Sequence, residues 1–239
     1  MKNKEPQDDD QILAVREKAS HRKGRTGNVV RSARIPTQER SKKRYHAILD
    51  ATIKLLERTN IEDISLHDIA KACGLPAPSV HYLFSTMSAV HLELSNRFNE
   101  EMTQRVVDYM RSASASRVNT WQDLARLTLV YAREQYNGNR ALSEVLLAPV
   151  MHRSVRAISF QTNTFYGRSS LELFNELFVM PDIPNLDTYF VFSTEMMEGM
   201  WAGAYARYGK IDDLTFEESV RASIAYLRCY LPETLARRS

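Results

Sequence analysis

The stretch KACGLPAPSVHYLF, residues 71–84, decides how the chain is read. It sets two prolines, Pro76 and Pro78, between two helix-like segments. Just upstream, ISLHDIAKACG (64–74) offers Ser65 as an N-cap with Asp68 three residues on, a capping box with Asp in place of Glu. Leu66, Ile69, Ala70 and Cys73 make the inner face of a helix of roughly two turns. Gly74 stands where that helix must stop, because glycine enters the left-handed region without a Cβ clash. Proline is tolerated in the first turn of a helix, where its missing N–H had no intrahelical partner. Pro76 therefore reads as a turn residue and Pro78 as the start of a third helix. Leu75, Val80 and Phe84 turn inward, and His81 and Tyr82 turn elsewhere.

Outward from this stretch the pattern stays helical. RYHAILDATIKLLERTN (44–60) places Ile48, Leu49, Ala51, Thr52, Leu55 and Leu56 at helical spacing. With the next two helices it makes a helix-turn-helix arrangement. Further helices are expected at 87–112, 119–137, 140–150, 154–179, 187–208 and 215–231. SASASRVN (112–119) and YGKIDDLT (208–215) read as loops, and the two prolines of MPDIPNLD (180–187) separate the last helix pair. No strand alternation and no internal repeat is present, so the fold class is all-α.

Composition bounds the function. Apolar residues make up 44% and charged residues 26%, ordinary for a globular protein, and glycine occurs only eight times. Cys73 and Cys229 lie far apart with no CxxC pair, so neither a disulfide framework nor a zinc site is indicated, and both are expected to be buried thiols. No apolar run reaches membrane-spanning length and the start, MKNKEPQDDD, lacks a signal-peptide core, so a cytoplasmic location is expected. Charge is uneven: residues 1–44 hold 13 Lys and Arg against 6 Asp and Glu, the other 195 hold 19 against 23. A basic end either contacts nucleic acid or is a solvated tail that contacts nothing. Residues 1–40 carry no aromatic side chain and read as a largely disordered basic arm, with a transient helix near 11–19. No HExxH, Gly-rich phosphate loop, Ser/His/Asp set or paired carboxylates is present; His152, Glu195 and Glu198 are scattered. No catalytic residue, metal site or cofactor is expected.

ILDATIKLLERTNIEDISLHDIAKACGLPAPSVHYLFSTMSAVHLELSNRF (48–98) resembles the N-terminal domain of tetracycline-repressor (TetR) type regulators. Ile69-Ala70, Gly74, Ser79-Val80, Tyr82 and Phe84 carry the resemblance. It implies a DNA-binding domain over 41–90 and an all-helical effector-binding and dimerisation domain over 91–239. It further implies a transcriptional regulator, a repressor released from its operator by a small, mostly apolar effector. An activator or ligand-independent regulator of the same fold is the alternative, an all-helical enzyme a more distant one. The implied partners are double-stranded operator DNA, a second copy of the chain and the effector. Ala77 and Pro78 can meet a thymine methyl and Ser79 a base edge or phosphate, while His81 and Tyr82 can donate to phosphates. Ser65 and His67 stand where relatives touch DNA, and Lys42, Lys43 and Arg44 are placed for phosphate contact. Met87 departs from the family, which often has a phosphate-binding lysine there, and the basic arm is the expected replacement.

The body is expected to hold a pocket walled by Trp121, Tyr131, Met151, Phe160, Phe165 and Tyr166, mostly apolar with a few polar groups such as Gln161, Asn163 or His152. Its last two helices, TYFVFSTEMMEGMWAGAYARYG (188–209) and FEESVRASIAYLRCYL (216–231), resemble the family's dimerisation pair. Met197, Met200, Trp201, Ala204 and Tyr226 are the expected interface residues, Trp201 as the aromatic anchor.

Overall fold

The structure, a computed structural model, describes residues 33–148 and 153–238. Helix α1 (Glu39–Leu56) follows Pro36 and carries Glu39 in its first turn, where a carboxylate complements the helix dipole. It begins five residues before the expected start, so Lys42, Lys43 and Arg44 ride on the helix rather than on an arm. A single 3-10 turn (Ile61–Asp63) leads into α2 (Leu66–Cys73). The capping box at Ser65 and Asp68 is formed in both directions, and Gly74 ends α2 in the left-handed region at φ +65°. Pro76 caps α3 (Ala77–Leu83), with Pro78 inside its first turn.

The next helix, α4 (Met87–Arg117), is capped by the Thr86 hydroxyl, which accepts from the Ala89 N–H. It runs on through most of the stretch expected to be a loop. Ala113 and Ala115 favour helix, and only Val118 turns extended before Thr120 caps the next element. Helix α5 (Trp121–Gly138) opens on a second capping box, Thr120 with Asp123. A short α6 (Arg140–Leu146), capped by Asn139, follows at once. Then come α7 (Arg153–Leu177), α8 (Leu186–Tyr208) and α9 (Asp213–Leu227). No strand occurs among the described residues; the single bridge, Phe178 to Arg237, pins the C-terminal segment to the end of α7.

Three apolar clusters hold these helices. The first joins α1–α3 to the N-terminal half of α4 and to α6, with Ile48, Leu56, Ile69, Val80, Phe84 and Leu94 fully buried. Burying a side chain such as Phe84 contributes about 2–3 kcal/mol. The second gathers Trp121, Phe174, Phe178 and Phe190 with Leu227 and Leu231, and the third gathers Leu147, Trp201, Tyr205 and Phe216. Helices α7 and α8 approach so closely that a Cβ at Gly167 would lie 2.6 Å from the Val191 Cα and N. Two expectations are corrected here. Cys73 is only half-buried, as the last residue of α2, and Cys229 is exposed in the turn after Leu227. Residues 33–40, expected within a disordered arm, are tied to the head at one end and open α1 at the other: Ala33 is buried, the Arg34 N–H donates to the Leu83 carbonyl at 2.9 Å, and Glu39 and Arg40 are helical, while most of the segment is exposed. The transient helix near 11–19 lies outside the described residues.

Candidate nucleic-acid interface and cavity

The outer face of α2 and α3 collects the expected DNA residues. His67, Lys71, Pro78, His81 and Tyr82 are exposed, and Ala77 and Ser79 are half-exposed at the start of α3. Val80, Leu83 and Phe84 fix that helix from below, and Tyr45 of α1 stacks on Phe84 with ring centroids 5.0 Å apart. The Tyr45 hydroxyl also donates to Glu93 of α4 at 2.5 Å, so α3 is braced from two helices. Lys42 and Lys43 are exposed on α1, Lys42 pairing with Glu39 at 2.9 Å, while Arg44 donates to Ser41.

Ser65 is less available than its position implies. Its hydroxyl accepts from the Asp68 N–H at 3.2 Å and donates to Asp68 Oδ2 at 2.5 Å. The donor a phosphate needs is thus already used in the cap. These bonds, the Ser65 hydroxyl foremost, hold the Asp68 carboxyl below its ordinary value. Met87 is half-buried against the first cluster and takes no part in the polar face.

Arg34 joins this face although the sequence did not single it out. Its guanidinium lies over the Tyr82 ring, 4.7 Å from the centroid, and its backbone is tied to Leu83 at the end of α3. The signal was present in Ile35-Pro36, since the residue before a proline is held extended and so keeps the chain stretched along the head.

Helix α6 connects this head to the body. Arg140 donates from Nη1 to the carbonyls of Leu56 and Thr59 at the end of α1, and from Nη2 to Asn60. Glu144, buried, accepts from the Ile61 N–H at 3.0 Å with one oxygen and from the Tyr205 hydroxyl of α8 at 2.6 Å with the other. Burial, then the Glu144 bond, raises the Tyr205 phenol far above its ordinary value, so it stays the donor. His91 of α4 is within hydrogen-bond distance of the Val145 carbonyl, 2.7 Å away.

Beside α6 a cavity of about 170 Å³ opens among α4 to α9. Phe165 and Tyr166 line it, together with Asn163. Trp121 does not: it is buried in the second cluster, its Nε1 donating to the Pro232 carbonyl at 3.0 Å. Tyr131 stacks on Tyr109, 4.1 Å between centroids, and Phe160 points to solvent. Met151 and His152 lie outside the described residues, and Gln161 is not part of the lining. The walls that the sequence pattern did not reveal are Tyr136, Phe174, Phe190, Glu198 and Trp201. Trp201 is fully buried and donates to the Ser219 hydroxyl at 3.0 Å, so it cannot anchor a partner. Ala204 is equally buried, and Met197 lines the cavity; Met200 and Tyr226 are half-buried. The reason is that apolar residues lie on every side of α8, so periodicity cannot separate its inner side from its outer one. Phe192 and Met196 are the exposed apolar residues of α8's middle.

A three-helix head that presents a helix-turn-helix, set on an all-helical body with a cavity, is the architecture of a DNA-binding transcriptional regulator. Residues 48–94 match the model of the tetR family of bacterial regulatory proteins, which covers the helix-turn-helix head. The fold is shared with a TetR-family transcriptional regulator from Streptomyces coelicolor, at TM-score 0.61 and 19% identity over 79% of this chain and 99% of that one. One from Pectobacterium atrosepticum gives 0.61 and 14% over 83% and 100%. SmeT, the repressor of the Stenotrophomonas maltophilia multidrug efflux pump SmeDEF, gives 0.53 and 14% over 79% and 90%. No curated protein matches the chain in sequence. No described helix is long and apolar enough to cross a membrane, and no group of His, Cys, Asp or Glu able to hold a metal ion occurs among the described residues.

Proposed function

We propose that the protein is a homodimeric repressor whose head, residues 41–90 extended back to Arg34, leaves its operator when a small, mostly apolar effector fills the cavity of the body. The observation that carries this reading is the placement of α6. One end of it holds α1 and the turn before α2, and its other end supplies Leu146 and Leu147 to the cavity wall. A ligand that displaces that wall acts on the element that positions the reading head. Release requires the effector to prefer the arrangement that does not fit DNA. The repressor named among the structures of like fold supports the same direction of control. Ala77, Pro78 and Ser79 read bases; His67, His81, Tyr82, Lys42 and Lys43 hold phosphates; Arg44 and Ser65 act mainly within the head. Dimerisation uses the outer side of α8, with Phe192 and Met196 central, and α9 beside it.

The test is fluorescence anisotropy with a labelled duplex taken from upstream of the protein's own gene, titrated with candidate effectors. Sequence-specific binding that small apolar compounds abolish is the expected result. Specific binding that no compound alters, while the same compounds occupy the cavity, would instead make the protein a ligand-independent regulator.

A further inference from the structure

The charged residues that line the cavity, among those described, are Glu172, Glu176 and Glu198; no lysine, arginine or histidine joins them. Glu198 is the most enclosed, 12% exposed in its side chain. Arg156, behind the wall and 42% exposed, reaches one of its oxygens at 3.1 Å, and Asn163 donates to the other. Trp201 follows Glu198 by three positions on α8, so carboxylate and indole share one helix face. Tyr136 faces them from α5. Burial raises its phenol well above the ordinary value, and the charges of Tyr166 and Glu198 push it further in that direction. The field of Glu198 therefore reaches across the cavity, and the opposite wall stays neutral.

Three ligand classes fare differently in such a space. An anion adds a like charge beside the enclosed Glu198 and meets the exposed carboxylates of Glu172 and Glu176 at the cavity's edge. A neutral apolar body gains burial alone. An organic cation gains burial, a charged hydrogen bond and an aromatic face, with Arg156 free to swing toward solvent. We infer that the effector is an organic cation, an amine or ammonium head carried on a compact apolar body, with the head at Glu198 and the body against Trp201 and Phe174. This rests on the cavity being the effector site. The volume suits a body of about one aromatic ring, since engineered cavities of roughly 150 Å³ take up benzene.

Benzylamine, benzyl alcohol and benzoate share one ring and differ in charge at neutral pH. Each is titrated into the full chain, following Trp fluorescence (Trp201 lines the cavity, Trp121 does not) and calorimetry in parallel. The amine is expected to bind about tenfold tighter than the alcohol, the ratio given by one charge-assisted hydrogen bond. Benzoate is expected to be weakest, and Glu198→Gln to remove the amine's advantage while leaving the alcohol unchanged. If the alcohol or benzoate binds as tightly as the amine, the charge preference is overturned while the cavity keeps its role. The wild-type ordering decides this even if the variant does not fold. If none of the three binds, the effector site itself is overturned and the inference falls with it.

Discussion

Arg34 shows how a single side chain can set the reach of a DNA-binding head. Its backbone is held by Leu83, and its guanidinium is held flat over Tyr82, an interaction worth about 0.5–1 kcal/mol at an exposed site. Both anchors place its charge at the far end of α3, where the proposed DNA contact would bring the phosphate backbone. Arg34→Ala should weaken binding to any duplex. It should also reduce the slope of log affinity against log salt by about 0.9 for each phosphate that is no longer neutralised. Arg34→Lys should recover the slope but not the full affinity, because lysine lacks the planar stacking group. A salt slope unchanged in Arg34→Ala would remove this residue from the interface. Tyr82→Phe keeps the ring and should leave the Arg34 contribution in place.

At the scale of elements, local chemistry was strongly legible in the head and weakly so in the body. Ser65 with Asp68, Gly74 and Pro78 each solve one helix-end problem: α2 starts and stops where Ser65 and Gly74 predict, and α3 starts at Ala77, one residue before Pro78. The stretch 112–117 was misleading because its serines read as loop, whereas the alanines between them sustain α4. The close approach of α7 to α8 had no sequence signal beyond one glycine. Gly167→Ala forces a methyl to within 2.6 Å of the Val191 backbone, so two helix backbones must part. Overpacking of this kind costs about 1–3 kcal/mol. Chemical denaturation of the variant should show a lower midpoint with the same slope. Wild-type stability in that experiment would mean that α8 can shift away from α7 at no cost. A softer junction of that kind would also enlarge the cavity they share.

At the scale of the whole molecule, the cavity and the dimer face could not be told apart from sequence. Cavity walls come from residues as distant as Asn99 and Leu227, and no periodicity within one helix reports which neighbours will meet. Aromatic side chains were therefore assigned by type, and Trp201 and Trp121 proved to be packed elsewhere than expected. The outer side of α8, which shows Phe192 and Met196, is the proposed dimer face. Met196→Glu should convert the dimer to a monomer in light scattering, with folding intact and operator affinity sharply reduced. A dimer that survives the substitution would move the interface to another face. The α6 connection carries a last consequence, for engineering. Arg140 closes the end of α1, and Glu144 closes the turn that follows it. A chimaera that transplants the head at residue 90 would leave those carbonyls and that N–H facing a stranger's side chains. The transferable unit is the head together with Arg140–Leu146, two pieces separated in the chain by about fifty residues and inherited as one.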